Sequence, residues 1–233
     1  MMKQIQALLY FFFIDSKRTI TIFCSILLFI IIVLAAFSAG SDEMYIAITP
    51  PAYIFMAIFG FRTIQESLPF AIKRGATRKS YHTSVGIFTI GISFIMTTFL
   101  AAVQLLLHGV LQVASITNIH IIRPIHESTE LTSILLSLPL DFAIMLFSFA
   151  AGLLLGIIVY KFGFLGGSVF GAIALVGITL SLTNQQRMID LLDWVQNLSV
   201  LPAFGLIFAI ACICYLISWF FIRTSTSIGQ RAI

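Results

Sequence analysis

The sequence predicts an all-α integral membrane protein with about six transmembrane helices, and three observations carry that expectation. Hydrophobic residues make up 60% of the chain and charged residues 9%, with a mean hydropathy of +1.08, far from the balance of soluble domains. The apolar residues form continuous runs rather than short alternating ones, which points to helices and not to a barrel. The charges fall in clusters, and the gaps between them approach the roughly 20 residues that cross a hydrocarbon core.

Taken in order, the expected spans are 20–39, 45–61, 83–107, 131–160, 164–182 and 203–222. Ahead of the first, residues 1–19 read as an interfacial helix, the alternative being a simple extension of the first span. Gln4, Gln6 and Asp15 interleave there with Ile5, Leu8, Leu9, Phe12 and Phe13, a pattern suited to the membrane surface. A secretory leader is excluded by Asp15-Ser-Lys-Arg18, which stands where a small-residue cleavage site is required. Pro50 and Pro51 kink or start the second helix. The fourth span is long enough to tilt or to begin outside the bilayer.

An even number of spans puts both termini on one side. That side collects Lys3, Lys17, Arg18, Arg62, Lys73, Arg74, Arg78, Lys79, Lys161, Arg223 and Arg231. Only Arg123 and Arg187 fall opposite, among the acids Asp42, Glu43, Glu127, Glu130, Asp190 and Asp193. By the positive-inside rule the topology is N-in and C-in. The net charge of +4 then follows from membrane topology, and no nucleic acid partner is implied.

Chemistry-bearing patterns are sparse, and nothing in the chain reads as an enzyme. The loops are too short for an ATP-hydrolysing domain, and G-x-x-x-x-G-K-[ST] is absent; Gly75-Ala-Thr-Arg-Lys-Ser80 has Arg78 where the phosphate loop needs glycine. His82, His108, His120 and His126 lie in loops or at span ends, and His120, His126 and Glu127 lack helical ligand spacing. No metal site is expected. Cys24, Cys212 and Cys214 fall within spans and read as buried free thiols.

Two polar residues fall inside spans. Asp141 either hydrogen-bonds a neighbouring helix or reaches interfacial water, or else it lines a substrate path. Gln104 has the same alternatives. Gly152 with Gly156, and Gly163, Gly167 and Gly171, recur at four-residue spacing, which lets helix backbones approach closely. They read as packing the fourth span against the fifth, or as a subunit interface. Residues 184–200 place Met188, Leu191, Leu192, Val195 and Leu198 at helical spacing, with Trp194 suited to headgroup level. They are expected to form an outer amphipathic helix before the last span.

The densest cationic run, Glu66 to Tyr81, falls between the second and third spans on the inner side. Leu68, Phe70, Ala71 and Ile72 give it an apolar side, Pro69 fits the first turn of a short helix, and Gly75 suits a left-handed stop. Thr77 is placed to cap the next helix, with Arg78 and Lys79 at the phospholipid surface. Composition alone allows a membrane-anchoring basic loop here.

The order of elements, together with Leu-Pro-Phe-Ala-Ile-Lys-Arg-Gly-Ala-Thr-Arg-Lys-Ser-Tyr across 68–81, resembles the ABC-2-type permeases of bacterial ABC exporters. Gly75, Arg78 and Lys79 match that family's Gly-x-Ser/Thr-Arg-Lys pattern. The resemblance implies a single permease domain over 1–233, with residues 62–82 as a cytosolic coupling segment that docks on a separate ATPase subunit. It assigns coupling to Glu66, Leu68, Pro69, Phe70, Lys73, Arg74, Gly75, Arg78 and Lys79. It makes 184–200 a re-entrant element, places ATP and magnesium on the partner subunit, and implies a second permease copy or paralogue in a bacterial plasma membrane. Small size and Phe/Ile-rich composition also resemble the Gram-positive exporters of phenol-soluble modulins and antimicrobial peptides. An amphipathic substrate, hydrophobic or peptidic, fits spans that offer few polar groups. The other classes left open are a secondary carrier or channel using Asp141, and a non-transporting immunity or sensor protein.

Overall fold

A computed structural model of the chain describes residues 2–38, 44–113, 119–121, 130–183 and 200–224. The expected outer helix at 184–200 lies, but for Val200, outside the described residues, as do His126, Glu127 and Trp194. Helices α1 (Met2–Ser38), α2 (Pro50–Arg62), α3 (Leu68–Lys73), α4 (Arg78–Val113), α5 (Glu130–Thr183) and α6 (Val200–Thr224) account for nearly all of what is described. The exception is a parallel pairing of β1 (Met44–Ile46) with β2 (Ile119–Ile121), in register Met44 to Ile119. Among the described residues, four stretches are long and apolar enough to cross a membrane: Met2–Leu34, Arg78–Val113, Ile134–Gly163 and Leu201–Arg223. The chain is a helical membrane protein.

Its helices fall into two compact units, Met1–Phe55 with Lys79–Met145, and Met56–Arg78 with Leu146–Ile233.

In the first unit, α1 is one unbroken helix of 37 residues. Residues 1–19 are helical as expected, but they continue straight into the apolar stretch beyond instead of forming a separate interfacial helix. No glycine or proline interrupts 2–38. The polar residues at the expected joint bond back into the helix: Ser16 donates to the Phe12 carbonyl, and Thr21 to that of Lys17 at 2.8 Å. Aromatic packing extends the pairing. Phe12, buried, meets Tyr81 and Phe88 of α4 with ring centroids 5.7 and 5.5 Å apart, and Ser80 donates to the Gln4 side chain at 3.2 Å. Since Gln4 matches Ser80 and Phe12 matches Phe88, α1 and α4 run parallel. Each residue advances both helices by about 1.5 Å, so the contact keeps its register over several turns.

The second expected span starts later than the sequence suggests. Residues 44–46 are extended, and helix begins at Pro50, whose fixed φ and missing N–H suit a first turn. The Thr49 carbonyl accepts from Ala52 and Tyr53 at 3.0 and 3.3 Å. The proline pair is therefore a start and not a kink.

In the second unit, helix continues from α2 through a π segment, Thr63–Ser67, into α3. Its far side packs on α5 through glycine. A Cβ on Gly152 would overlap the carbonyl oxygen of Ala57, one on Gly60 would overlap that of Phe149, and one on Gly156 would lie 2.8 Å from that of Phe61. The expected close approach at Gly152 and Gly156 is real, but its partner is the helix starting at Pro50 and not the fifth span. Close backbone approach of this kind is how helices gain dispersion energy where lipid removes the hydrophobic drive. Gly163 has a different job. Its φ of 73° and ψ of −172° interrupt α5, at the boundary between the fourth and fifth expected spans, with Lys161 beside the break and its amine 5.3 Å from the Phe221 ring.

The cysteines are free, but they are not buried: Cys212 is exposed, and Cys24 and Cys214 are intermediate. Helix faces that meet lipid expose such side chains.

Candidate functional site

The segment from Arg62 to Lys79 is built by a buried stripe on one side and a polar strip on the other. Thr63, Ile64, Ser67, Leu68 and Ala71 are buried. Thr63 donates to the Phe59 carbonyl at 2.8 Å and Ser67 to that of Thr63. Such back-bonding competes with the regular ladder, and here it accompanies the π segment. Gln65 fastens the segment sideways, its amide donating to the Gly156 carbonyl at 2.8 Å.

On the open side, Arg62 and Glu66 form a two-pronged ion pair, Nε to Oε1 at 2.9 Å and Nη2 to Oε2 at 3.0 Å. Both side chains are more than half exposed, so water screens the pair and its contribution to stability is at most about 1 kcal/mol. One turn further, Phe70 is 37% exposed, and the Arg74 guanidinium stacks over its ring at 4.3 Å. Lys73 and Arg74 are exposed. Glu66, Phe70, Lys73 and Arg74 thus share one helix face, while Leu68 lies on the buried face and Pro69 in the first turn of α3.

The stop is local chemistry. Ala76 N–H donates to the Ala71 carbonyl and Gly75 N–H to that of Ile72, both at 3.0 Å, the paired bonds of a Schellman ending. Gly75 has φ of 83°, a conformation that side chains with a Cβ rarely adopt. Helix restarts at Arg78, directly after Thr77, the expected cap position.

Arg78 also bonds within the protein. Its Nη1 donates to the carbonyls of Ile222 and Arg223 at 3.1 and 3.0 Å, closing the last turn of α6, where helix carbonyls otherwise lack partners. Arg78→Ala is expected to speed amide hydrogen exchange over the last turn of α6 by about tenfold, the loss of a charge-assisted bond, and to leave exchange in α1 unchanged. Lys79 is exposed.

The polar residues expected within spans lie in the first unit. Tyr53 on α2 donates to the Asp141 carboxylate on α5, and Asp141 is 4% exposed. Thr49 precedes Tyr53 by one turn, and Ser137 precedes Asp141 by one turn. This is the helix-to-helix hydrogen bond anticipated for Asp141; Tyr53 was not anticipated, although Thr49-x-x-x-Tyr53 is visible as a polar pair in an apolar run. Gln104 is buried on α4. Ser93 and Thr97 are buried on that helix as well, and their hydroxyls have no hydrogen-bond partner. Asp141→Ala, which takes away the acceptor of the Tyr53 hydroxyl, is expected to lose about 1–3 kcal/mol; Asp141→Asn keeps an acceptor and should unfold close to wild type in detergent melts.

Among the described residues no group of three or more His, Cys, Asp or Glu side chains is placed to hold a metal ion. Fold and site together define a helical membrane protein with an anchored basic helix, exposed along one face, between two of its apolar helices in the chain. No protein-family model, no curated protein and no solved structure matches the chain.

Proposed function

We propose that this chain is the membrane half of an ATP-driven ABC exporter, working as a pair with a second permease copy or paralogue and two separate ATPase subunits. The observation that carries the reading is the division of the 62–79 segment into two faces. Leu68 and Ala71 hold it to the body, while Glu66, Phe70, Lys73 and Arg74 face outward, with an aromatic ring and cations of the kind that anchor protein interfaces. In this reading the six spans of the sequence cross a bacterial plasma membrane with both termini inside, and the outward face docks on the ATPase. Closure of the nucleotide-bound ATPase pair moves α3, and the Schellman turn at Gly75 passes that movement to α4. Binding energy then shifts the helices between two packings.

The substrate is amphipathic, a peptide with an apolar face, because the interior offers few charges for a hydrophilic solute. The buried Tyr53–Asp141 bond supports a structural pin over an ion-coupling carboxylate, since each group already has its partner.

Uptake of a labelled amphipathic peptide into inside-out vesicles tests the mode of energy coupling. Uptake should need hydrolysable ATP, survive ionophores that collapse ion gradients, and survive Asp141→Asn. Uptake that follows the ion gradient and disappears in Asp141→Asn would establish a secondary carrier instead.

A further inference from the structure

We infer that the groove between α1 and α4 holds an acyl chain of an anionic phospholipid, with the ammonium of Lys17 as the partner of its headgroup. The inference rests on the membrane placement of these helices and is independent of the ATPase proposal. The groove has a volume of about 610 Å³ and is partly open, within the roughly 300–1,000 Å³ of ligand pockets. Its walls are hydrocarbon: Phe13 and Ile20 from α1, Ile87 and Ile92 from α4. Ser16 and Thr21 also lie on the lining, but their hydroxyls donate within their own helix, so the wall suits an alkyl chain and leaves Tyr10 and Lys17 as its polar groups.

Space is held open at Gly91. It lies on the groove wall, and a Cβ built there meets no atom within 4 Å, so no neighbouring side chain fills that position.

One formal charge enters the lining, Lys17. It is exposed, and the ion pair found among the described residues, Arg62 with Glu66, does not involve it. Asp15 is two residues away on the same helix, about 200° around the axis, and cannot neutralise it. A cation beside hydrocarbon needs either water or an anion. A phosphate on an amphipath whose tail occupies the groove supplies the anion while the tail supplies the apolar contact. A zwitterionic headgroup offers no net charge to match.

The test uses the full chain in nanodiscs doped with phosphatidylglycerol carrying a photoreactive acyl chain, and in parallel with the phosphatidylcholine analogue, mapping crosslinked peptides. Crosslinks from phosphatidylglycerol should concentrate in 9–21 and 87–95 and exceed those from phosphatidylcholine by about fivefold, the preference one cation confers. Lys17→Gln should erase the preference and Lys17→Arg should restore it. Gly91→Trp, filling the groove from a position with free space, should remove groove labelling by both lipids with an unchanged melting curve. Equal labelling by the two lipids, or groove labelling indifferent to Gly91→Trp, would overturn the inference.

Discussion

Replacing Gly152 with leucine is expected to abolish the packing of α5 on the helix that begins at Pro50, and with it most of the folded protein recovered in mild detergent. The side chain would enter space held by the Ala57 carbonyl. The obstacle is backbone, which cannot swing aside as a flexible side chain can. Overpacking a well-filled interior costs about 1–3 kcal/mol, more when backbone must shift, and Gly152→Leu belongs at or above the top of that range. A collapsed monodisperse peak on size exclusion and a lowered melting temperature are the readouts. Gly109→Ala is the control. Nothing lies within 4 Å of a Cβ at Gly109, so helix propensity should leave it neutral or stabilised by up to about 1 kcal/mol.

The second large effect concerns function and should leave folding intact. Phe70→Ala combined with Arg74→Glu removes the exposed ring, the cation stacked on it and the sign of the local charge. Interface anchors of these types each contribute about 2 kcal/mol or more, and a reversed charge adds repulsion against a complementary partner. ATPase binding should therefore weaken by at least about 100-fold. Stability should fall by only about 1–2 kcal/mol, the share of the ring that is covered, because Leu68 and Ala71 carry most of the burial. Glu66→Gln makes a milder companion: its ion pair with Arg62 is exposed and adds little to the fold, so any change in binding reports on docking.

The parts of this molecule that were legible in sequence are those set by local chemistry. Long apolar runs gave helices at α1, α4, α5 and α6. Pro69 and Gly75 marked the start and end of a short helix because proline geometry and a left-handed φ are properties of single residues. Gly163 was read as part of a packing stripe, yet the helix breaks there, next to the expected end of the fourth span.

What escaped were relations across the chain. Gly152 and Gly156 announced a close approach without naming the approaching helix, since small-residue spacing is the same for any partner. Asp141 stood out as a carboxylate in an apolar run, but its partner Tyr53 is 88 residues away and is an ordinary membrane aromatic on its own. Arg78 belonged to a basic cluster and read as a lipid anchor; its role closing α6 depends on a carbonyl 144 residues distant. The continuity of α1 was the lesser alternative because Asp15, Lys17 and Arg18 are polar enough to mark an interface, while nothing about them stops a helix.

Copurification tests the central claim most directly. The tagged chain, coexpressed with candidate ABC ATPase subunits and extracted in mild detergent, should bring down one of them in a one-to-one ratio. Phe70→Ala with Arg74→Glu should lose the ATPase while eluting as the same folded species. A wild-type chain that folds, elutes as a single species and binds no ATPase, or a double variant that retains the subunit at full occupancy, would contradict the account.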